Sequence, residues 1–541
     1  MNTTNQNWKK NLILCAILLS GFALRTYNLD FPSIGYHNMK ENESLGIAQE
    51  MKNSNDFIKK KVYFYNAFED SSAIKKDSEL ALVPYQILLS WQLFGENLWG
   101  GRLFNIIFAL LSILLMYFIC LLLFANANLA LFGAAILAML PLSVFFSRNL
   151  QAESPAFFFM LLGNLLYLRF ALSLKKYNLF LGGLSFFLAW AYKPNFLFGL
   201  LPPLFCFPFK VILRNKKQIL KHSLAFLAPY LLIVFTIFWL RHLGEWQFSL
   251  QLTFVKTAKL FQFFSPSYWS HYAKSILWFT VAENYTVIFS ILSLLGILLA
   301  FMKGGGLLNR YIIGWTLTIV PFGMLFSEQI YQQGFSQMPF LGLVSVSSVY
   351  IISFISQTLS RFIRRGTPIF LMCATVAISL PFVYGAIYRM YATVFLGADV
   401  AGETLKELTL PDERVFLFTH AQGYAIARYA QRYVGWPSNF KDFQEKENRF
   451  KIRYICVYPL QYLASLESES PELFNYIQGN YHLKELGMLE EPNRLIYAIL
   501  EKGKGQNLRD ALGNISGQIR PRAIYKLFGR YIFFYTVRMA G

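Results

Sequence analysis

Three glutamates and three cations in this 541-residue chain stand at the ends of long apolar runs. Glu41 and Glu43 fall in the segment Gly35 to Ser44, shortly after the first run. Arg102 opens the next run (Gly-Gly-Arg-Leu-Phe-Asn). Arg148 and Glu153 bracket Ser-Arg-Asn-Leu-Gln-Ala-Glu, and Lys193 closes a run as Ala-Trp-Ala-Tyr-Lys-Pro. Charges at span ends are costly and tend to be functional. A carboxylate can take the proton of an attacking hydroxyl, and fixed cations stabilise charge developing on a leaving phosphate. This set suits transfer of a sugar from a lipid phosphate to a hydroxyl, with the Phe-rich spans offering a groove to the lipid tail. A single base with no covalent sugar intermediate implies inversion at the anomeric carbon; the two-carboxylate rule of glycosidases does not carry over, because water is not the intended acceptor.

Each group also has a plainer reading. Glu41 and Glu43 suit the first turn of a solvated helix, where acids meet the positive end of the dipole. Arg148 and Glu153 suit an interfacial ion pair, and Arg102 and Lys193 suit snorkelling from span ends. His37, His242 and His271 read as polar loop residues, because no H-x3-H or HExxH spacing occurs. The sequence supports no metal site, divalent or otherwise, and no other cofactor. Cys15, Cys120, Cys206, Cys373 and Cys456 form no CxxC pair, so neither a disulfide framework nor a zinc site is implied. Asn-x-Ser/Thr matches at Asn2, Asn42, Asn284 and Asn514 read as chance.

The elements that must position these groups are membrane helices. Hydrophobic residues make up 55% of the chain and charged ones only 15%, against about 25% charged in soluble domains. The net charge of +20 would point to nucleic acid in a soluble protein. Here the basic residues cluster between apolar runs, which points to orientation and lipid headgroups and to no nucleic-acid partner. Runs of membrane length predict about eleven spans, near 11–27, 98–124, 129–146, 154–172, 179–193, 195–213, 222–240, 285–302, 311–327, 338–358 and 368–388. Lys9/Lys10, Lys175/Lys176, Arg214/Lys216/Lys217/Lys221, Lys303/Arg310 and Arg361/Arg364/Arg365 fall on alternate loops. The positive-inside rule then puts the N-terminus in the cytoplasm and everything after about Tyr391 outside. All the acids and cations above share the outer side. The fourth outer loop, with Glu245, His271 and Glu283, shares it too.

Two domains are expected: 1–392, transmembrane, with the first outer loop 28–97, and 393–541, a small extracytoplasmic α/β domain. In the first loop a helix is expected over Glu41–Lys52 and an interfacial amphipathic stretch over Leu80–Phe94. In the second domain strands are expected over Arg414–Thr419, Tyr454–Tyr458 and Leu495–Leu500, and helices over Gly423–Arg432 and Glu472–Gly479. The tail from Ile519, basic and aromatic, reads as a segment lying on the bilayer.

The ordered motifs resemble the GT-C glycosyltransferases, close to bacterial relatives of protein O-mannosyltransferases and of the aminoarabinose–lipid A transferase. They are Leu-Arg-Thr-Tyr-Asn-Leu before the first loop, the acidic motif with Ile47-Ala48 and Met51, Gly-Arg-Leu at 101–103, Pro141 through Ser-Arg-Asn-Leu-Gln-Ala-Glu at 147–153, and Gly-Gly-Leu through Tyr-Lys-Pro at 182–194. The resemblance implies an all-α polytopic fold with a C-terminal extracytoplasmic domain. It also implies a polyprenyl-phosphate-sugar donor, a lipid, glycan or protein acceptor, and an inner-membrane location. Counted back from Ile47-Ala48, the family's Asp-Glu falls on Lys40 and Glu41. A family variant reading His-x-Trp-Arg-Gln-x-Asp-Thr aligns with His37 to Ser44 and makes Glu43 the acid. Glu43 is therefore the expected base, with Glu41 beside it. Lys193, Arg148 and Arg102 are expected at the donor phosphate, and Glu153, His37 and Lys40 as groups orienting the acceptor or an arginine. The family's later His/Tyr motif appears as Tyr331-Gln-Gln-Gly-Phe335, without the His. A lipid transporter or flippase is the competing class, but it calls for inverted repeats and midplane charges, and neither is visible. An inactive GT-C relative is the other, kept open by Lys40.

Overall fold

The computed structural model describes residues 3–61, 68, 80–213, 216–243, 261–360, 367–419, 422–490, 494–505 and 517–539. Asn2, Arg214, Glu245, Arg361, Arg364, Arg365 and Asn514 lie outside them. The chain divides into two compact units, one of Met1–Leu29, Asp77–Gln86 and Trp99–Met390, the other of Asp30–Lys76, Ile87–Leu98 and Tyr391–Gly541.

The first unit is helical. Among the described residues seven helices are long and apolar enough to cross a membrane: Leu98–Phe124, Glu153–Ser173, Ile219–His242, Thr286–Lys303, Leu307–Gln332, Gly334–Leu359 and Pro368–Ala392. The other four expected runs take different forms. The first lies in the helix Thr3–Arg25, which begins with polar residues. Residues 129–146 break at Leu140 into Ala127–Met139 and Pro141–Phe146, since a proline has no N–H to continue the ladder. Residues 179–193 lie in the 17-residue helix Lys176–Tyr192. Residues 195–213 do not form one continuous helix. Pro194, Pro202, Pro203 and Pro208 divide them into a 3-10 segment, Pro194–Leu200, and the short helices Leu201–Leu204 and Phe209–Leu213.

Close packing fixes where the break after Lys193 stands. A Cβ on Gly182 would lie 2.3 Å from the Tyr167 ring, and one on Gly199 2.4 Å from Met160. Glycine at both positions lets Lys176–Tyr192 and the 3-10 segment press onto Glu153–Ser173. Asn164 Nδ2 donates to Gly199 O at 3.0 Å, and Tyr311 Oη donates to Asn164 Oδ1 at 3.0 Å. This satisfies backbone left open by the broken helix, as a buried carbonyl requires.

The second unit is built on a sheet. Among the described residues it holds β1 (Val415–Phe418), β2 (Val434–Gly435), β3 (Tyr454–Val457), β4 (Tyr481–Leu489), β5 (Leu495–Lys502), β6 (Gly517–Leu527) and β7 (Arg530–Met539), in the order β2-β1-β3-β5-β4-β7-β6. β1 runs parallel to β2 and β3, and the remaining pairings are antiparallel. β1 reads Val-Phe-Leu-Phe and is buried throughout, as a strand covered on both faces should be. One apolar layer packs Ala398–Leu408 and Gly423–Ala430 on the sheet, and another packs Phe440–Phe450, Tyr462–Glu469 and Pro471–Asn480.

The basic aromatic tail forms the β6–β7 hairpin. It turns at Phe528-Gly529, with Gly529 at φ 79. Tyr525 and Phe534 enter the core. Alternating apolar and polar residues suit a strand as well as an interface, and here they pair in the sheet. The first loop also departs from expectation. Ile34 is in the core of the second unit, Gly35 bridges Val394, and Phe395 N donates to Ile34 O at 2.8 Å.

Candidate functional site

The acid segment forms the helix Asn38–Ser54, entered through His37 in the left-handed region at φ 50. Glu41 and Glu43 are only 3% and 4% exposed, so they do not form a solvated helix start. Glu41 Oε2 accepts from Ser33 Oγ at 2.6 Å. Glu43 Oε2 lies 3.2 Å from Lys40 Nζ, one turn earlier, and that lysine is 34% exposed. Lys40 thus stands beside the acid expected to act as base. Burial lowers the His37 pKa to about 4, so its ring is neutral at physiological pH.

Two asparagines on one face of this helix tie it to the C-terminal segment. Asn42 Nδ2 donates to Ser33 O (2.6 Å) and Asn38 O (3.0 Å), and its Oδ1 accepts from Arg428 Nε at 2.7 Å. Asn38 Nδ2 donates to Gly35 O (2.8 Å) and to Gln422 Oε1 (2.9 Å). Arg428 lies over the Tyr429 ring at 3.8 Å, and Tyr429 Oη accepts from Ser33 N at 3.3 Å. The sequence assigns no positioning role to Asn38, Asn42, Gln422 or Arg428. The one available signal was the i, i+4 spacing of the two asparagines.

The other expected residues belong to the first unit. Glu153, 1% exposed, accepts from Lys193 Nζ, and Lys193 lies 5.0 Å over the Phe335 ring. Lys193 is therefore an ion-pair partner whose side chain is 15% exposed. Arg148, 4% exposed, donates to Tyr27 O and, at 3.0 Å, to Asn28 O. Arg102, 2% exposed, donates to Leu29 O at 2.7 Å. Both arginines are buried in protein. The structure brings Arg102 and Arg148 onto consecutive carbonyls of one chain segment, and it pairs Glu153 with Lys193.

Arg25 belongs to the Leu-Arg-Thr-Tyr-Asn-Leu motif. It is fully buried and donates to Ser147 Oγ, Ser143 Oγ, Gly21 O and Ala138 O at 2.8, 2.8, 2.8 and 3.0 Å. The segment that carries Arg148 is pinned further. Asn105 Nδ2 donates to Asn149 O and to Gln151 O, and Ser154 Oγ donates to Asn105 O at 2.8 Å. Tyr331, in the place of the family's later motif, stacks on Tyr272 at 3.7 Å and 8°. Among the described residues His271 bonds within its own helix, to Ser267 O and Ser270 Oγ. Among the described residues no three His, Cys, Asp or Glu side chains stand together in a way that could hold a metal ion.

The model of the dolichyl-phosphate-mannose-protein mannosyltransferase family matches residues 81–241. No curated protein sequence matches the chain. Solved structures share its fold. ArnT from Cupriavidus metallidurans in the apo state aligns at a TM-score of 0.59 and 12% identity, over 93% of this chain and 100% of that one. ArnT from the same organism bound to undecaprenyl phosphate aligns at 0.51 and 14%, over 91% and 98%. AglB from Archaeoglobus fulgidus, in complex with an inhibitory peptide and a dolichol-phosphate, aligns at 0.55 and 12%, over 96% and 80%.

Proposed function

From the fold shared with the GT-C membrane glycosyltransferases, we propose that this chain is an integral membrane glycosyltransferase. It moves a sugar from a polyprenyl-phosphate donor to a lipid, glycan or protein acceptor on the extracytoplasmic face of the cell membrane, with inversion. The observation that carries the reading is the burial of Glu41 and Glu43 on a helix held by side-chain hydrogen bonds. A solvated helix start does not account for either acid, and burying a carboxylate is costly.

Glu43 takes the proton of the acceptor hydroxyl, and the oxygen attacks the anomeric carbon. The bond from that carbon to the phosphate oxygen breaks, and its electron pair leaves with the lipid phosphate. Lys193, Arg148 and Arg102 stabilise the charge that develops there. Glu153 holds Lys193 in place, and Glu41 is fixed by Ser33. The undecaprenyl phosphate bound to ArnT and the dolichol-phosphate bound to AglB support a lipid-phosphate donor, and the inhibitory peptide bound to AglB is consistent with a protein acceptor.

Transfer from a polyprenyl-phosphate sugar, followed in membranes or nanodiscs, tests the reading. General-base removal costs about 10²–10⁴-fold, so Glu43→Gln is expected to lose at least that with the fold intact. Near wild-type turnover in that variant moves the base elsewhere, first to Glu41. Lys193→Ala is expected to weaken use of the donor, and an unchanged donor KM removes Lys193 from the phosphate site. For sidedness, Lys441, whose side chain is 87% exposed, is replaced by Cys. An impermeant thiol reagent is expected to label it in intact cells above the level of the unsubstituted chain, and labelling only after lysis inverts the topology.

A further inference from the structure

The parallel part of the second unit's sheet has a point where its connections diverge. β1 leads through Gly423–Ala430 to β2 on one side of it. β3 leads through Tyr462–Glu469 and Pro471–Asn480 to β4, beyond β5 on the other side. The two connections lie on opposite faces. Ala425, Ile426 and Ala430 pack in one apolar layer, and Leu463, Leu466 and Phe474 in the other. In open α/β sheets a crevice forms outside the carboxyl ends of such a strand pair, and ligands bind there.

A cavity of about 350 Å³ stands at this place, within the range of about 300–1,000 Å³ typical of small-molecule pockets. Thr419 and Gln422 follow β1, Tyr458 and Gln461 follow β3, Arg494 precedes β5, and Phe395 forms part of the apolar wall. Gln422 is 4% exposed. Its Oε1 accepts from Asn38, while its Nε2 has no acceptor among the described residues. Arg494 is exposed, and its guanidinium likewise has no acidic partner among them. The Tyr458 hydroxyl is occupied, donating to Leu396 O at 3.1 Å.

A guanidinium takes a carboxylate in bidentate fashion. An amide N–H and the Thr419 hydroxyl suit ring hydroxyls, and an aromatic wall suits the C–H face of a sugar. We propose that this crevice binds a carboxylate-bearing sugar, and that Gln422 and the Val394–Leu396 backbone link its occupancy to the Asn38–Ser54 helix. Gln422 lines the cavity and holds Asn38 at the first turn of that helix. Val394, also in the lining, bridges Gly35 just before it. The site goes beyond the transfer reading and does not depend on it.

The purified full-length chain, titrated with glucuronate and with glucose as the neutral control, tests the site. Glucuronate is expected to bind saturably and at least tenfold more tightly than glucose. Arg494→Gln is expected to weaken it at least tenfold with the melting temperature unchanged, and Gln422→Glu to weaken it at least tenfold. Glu43→Gln retains the binding while losing transfer, so failure of the site and failure of the transferase reading give different results. Absence of saturable glucuronate binding, equal affinity for glucose, or unchanged affinity in Arg494→Gln overturns the proposal. Amide exchange in the Asn38–Ser54 helix is expected to slow on saturation, and unchanged exchange removes the link to that helix.

Discussion

Each unit holds a lysine–glutamate pair with a buried acid, and the two pairs are built differently. Lys193 and Glu153 are 40 residues apart. They meet because one helix ends in a proline-broken turn beside the start of another. Lys40 and Glu43 are one turn apart on a single helix and meet through helical geometry alone. In the first pair the lysine side chain is 15% exposed, in the second 34%. A long-range sealed pair couples packing to charge, whereas a local, half-open pair leaves the acid accessible to change at little structural cost.

Lys193→Ala is expected to have the largest effect on stability. It strands the buried Glu153, and breaking a buried pair costs about 3–5 kcal/mol. Lys193→Ala/Glu153→Gln is expected to recover much of that in thermal unfolding, and an unchanged melting temperature in the single variant would show that the pair is not sealed.

The second unit is expected to carry two opposed pH dependences, each on the order of 3 kcal/mol. Burial raises the Asp399 pKa to about 6 from an ordinary 3.8, so this contribution to stability is complete below about pH 4 and lost as pH rises through 6. Burial lowers the His37 pKa from 6.5 to about 4, so its contribution is complete above 6.5 and lost as pH falls through 4. Asp399→Asn is expected to leave a chain that weakens on acidification from 6.5 to 4. His37→Gln is expected to leave one that weakens as pH rises from 4 to 6. Parallel melting-temperature profiles in the two variants would refute both assignments.

Arg428→Ala removes a charged hydrogen bond to Asn42, worth about 1.5–3 kcal/mol. Arg428→Lys is expected to restore part of it, as read by proteolysis of the Asn38–Ser54 helix. Lys40→Ala is expected to cost less than Lys193→Ala, because the 34% exposure of Lys40 leaves solvent a way to the pair. A loss of several kcal/mol there would erase the contrast with Lys193.

Much of the second unit was legible because β1, β3 and the first six residues of β5 are short and apolar. Residues 415–418, 454–457 and 495–502 took the expected form, as did the helices at 423–430 and 471–480. β4 and the β6–β7 hairpin were not legible. Their mixed residues gain meaning from cross-strand neighbours. In the first unit the span at 195–213 was overread. Its apolar content met the length rule, but four prolines removed the backbone donors a continuous helix needs.

The sequence by itself determined the membrane character, the helix that carries Glu41 and Glu43, and the candidate charges at span ends. All of these follow from composition, local period and nearest-neighbour chemistry. Only the tertiary structure decided that Glu153 belongs to Lys193, that Arg102 and Arg148 sit on the carbonyls of residues 27–29, and that the acid helix is tied to Gln422 and Arg428. Those pairings join residues from 40 to nearly 400 positions apart. The geometry that joins them arises from glycine-permitted close approach and sheet order, which no local pattern encodes.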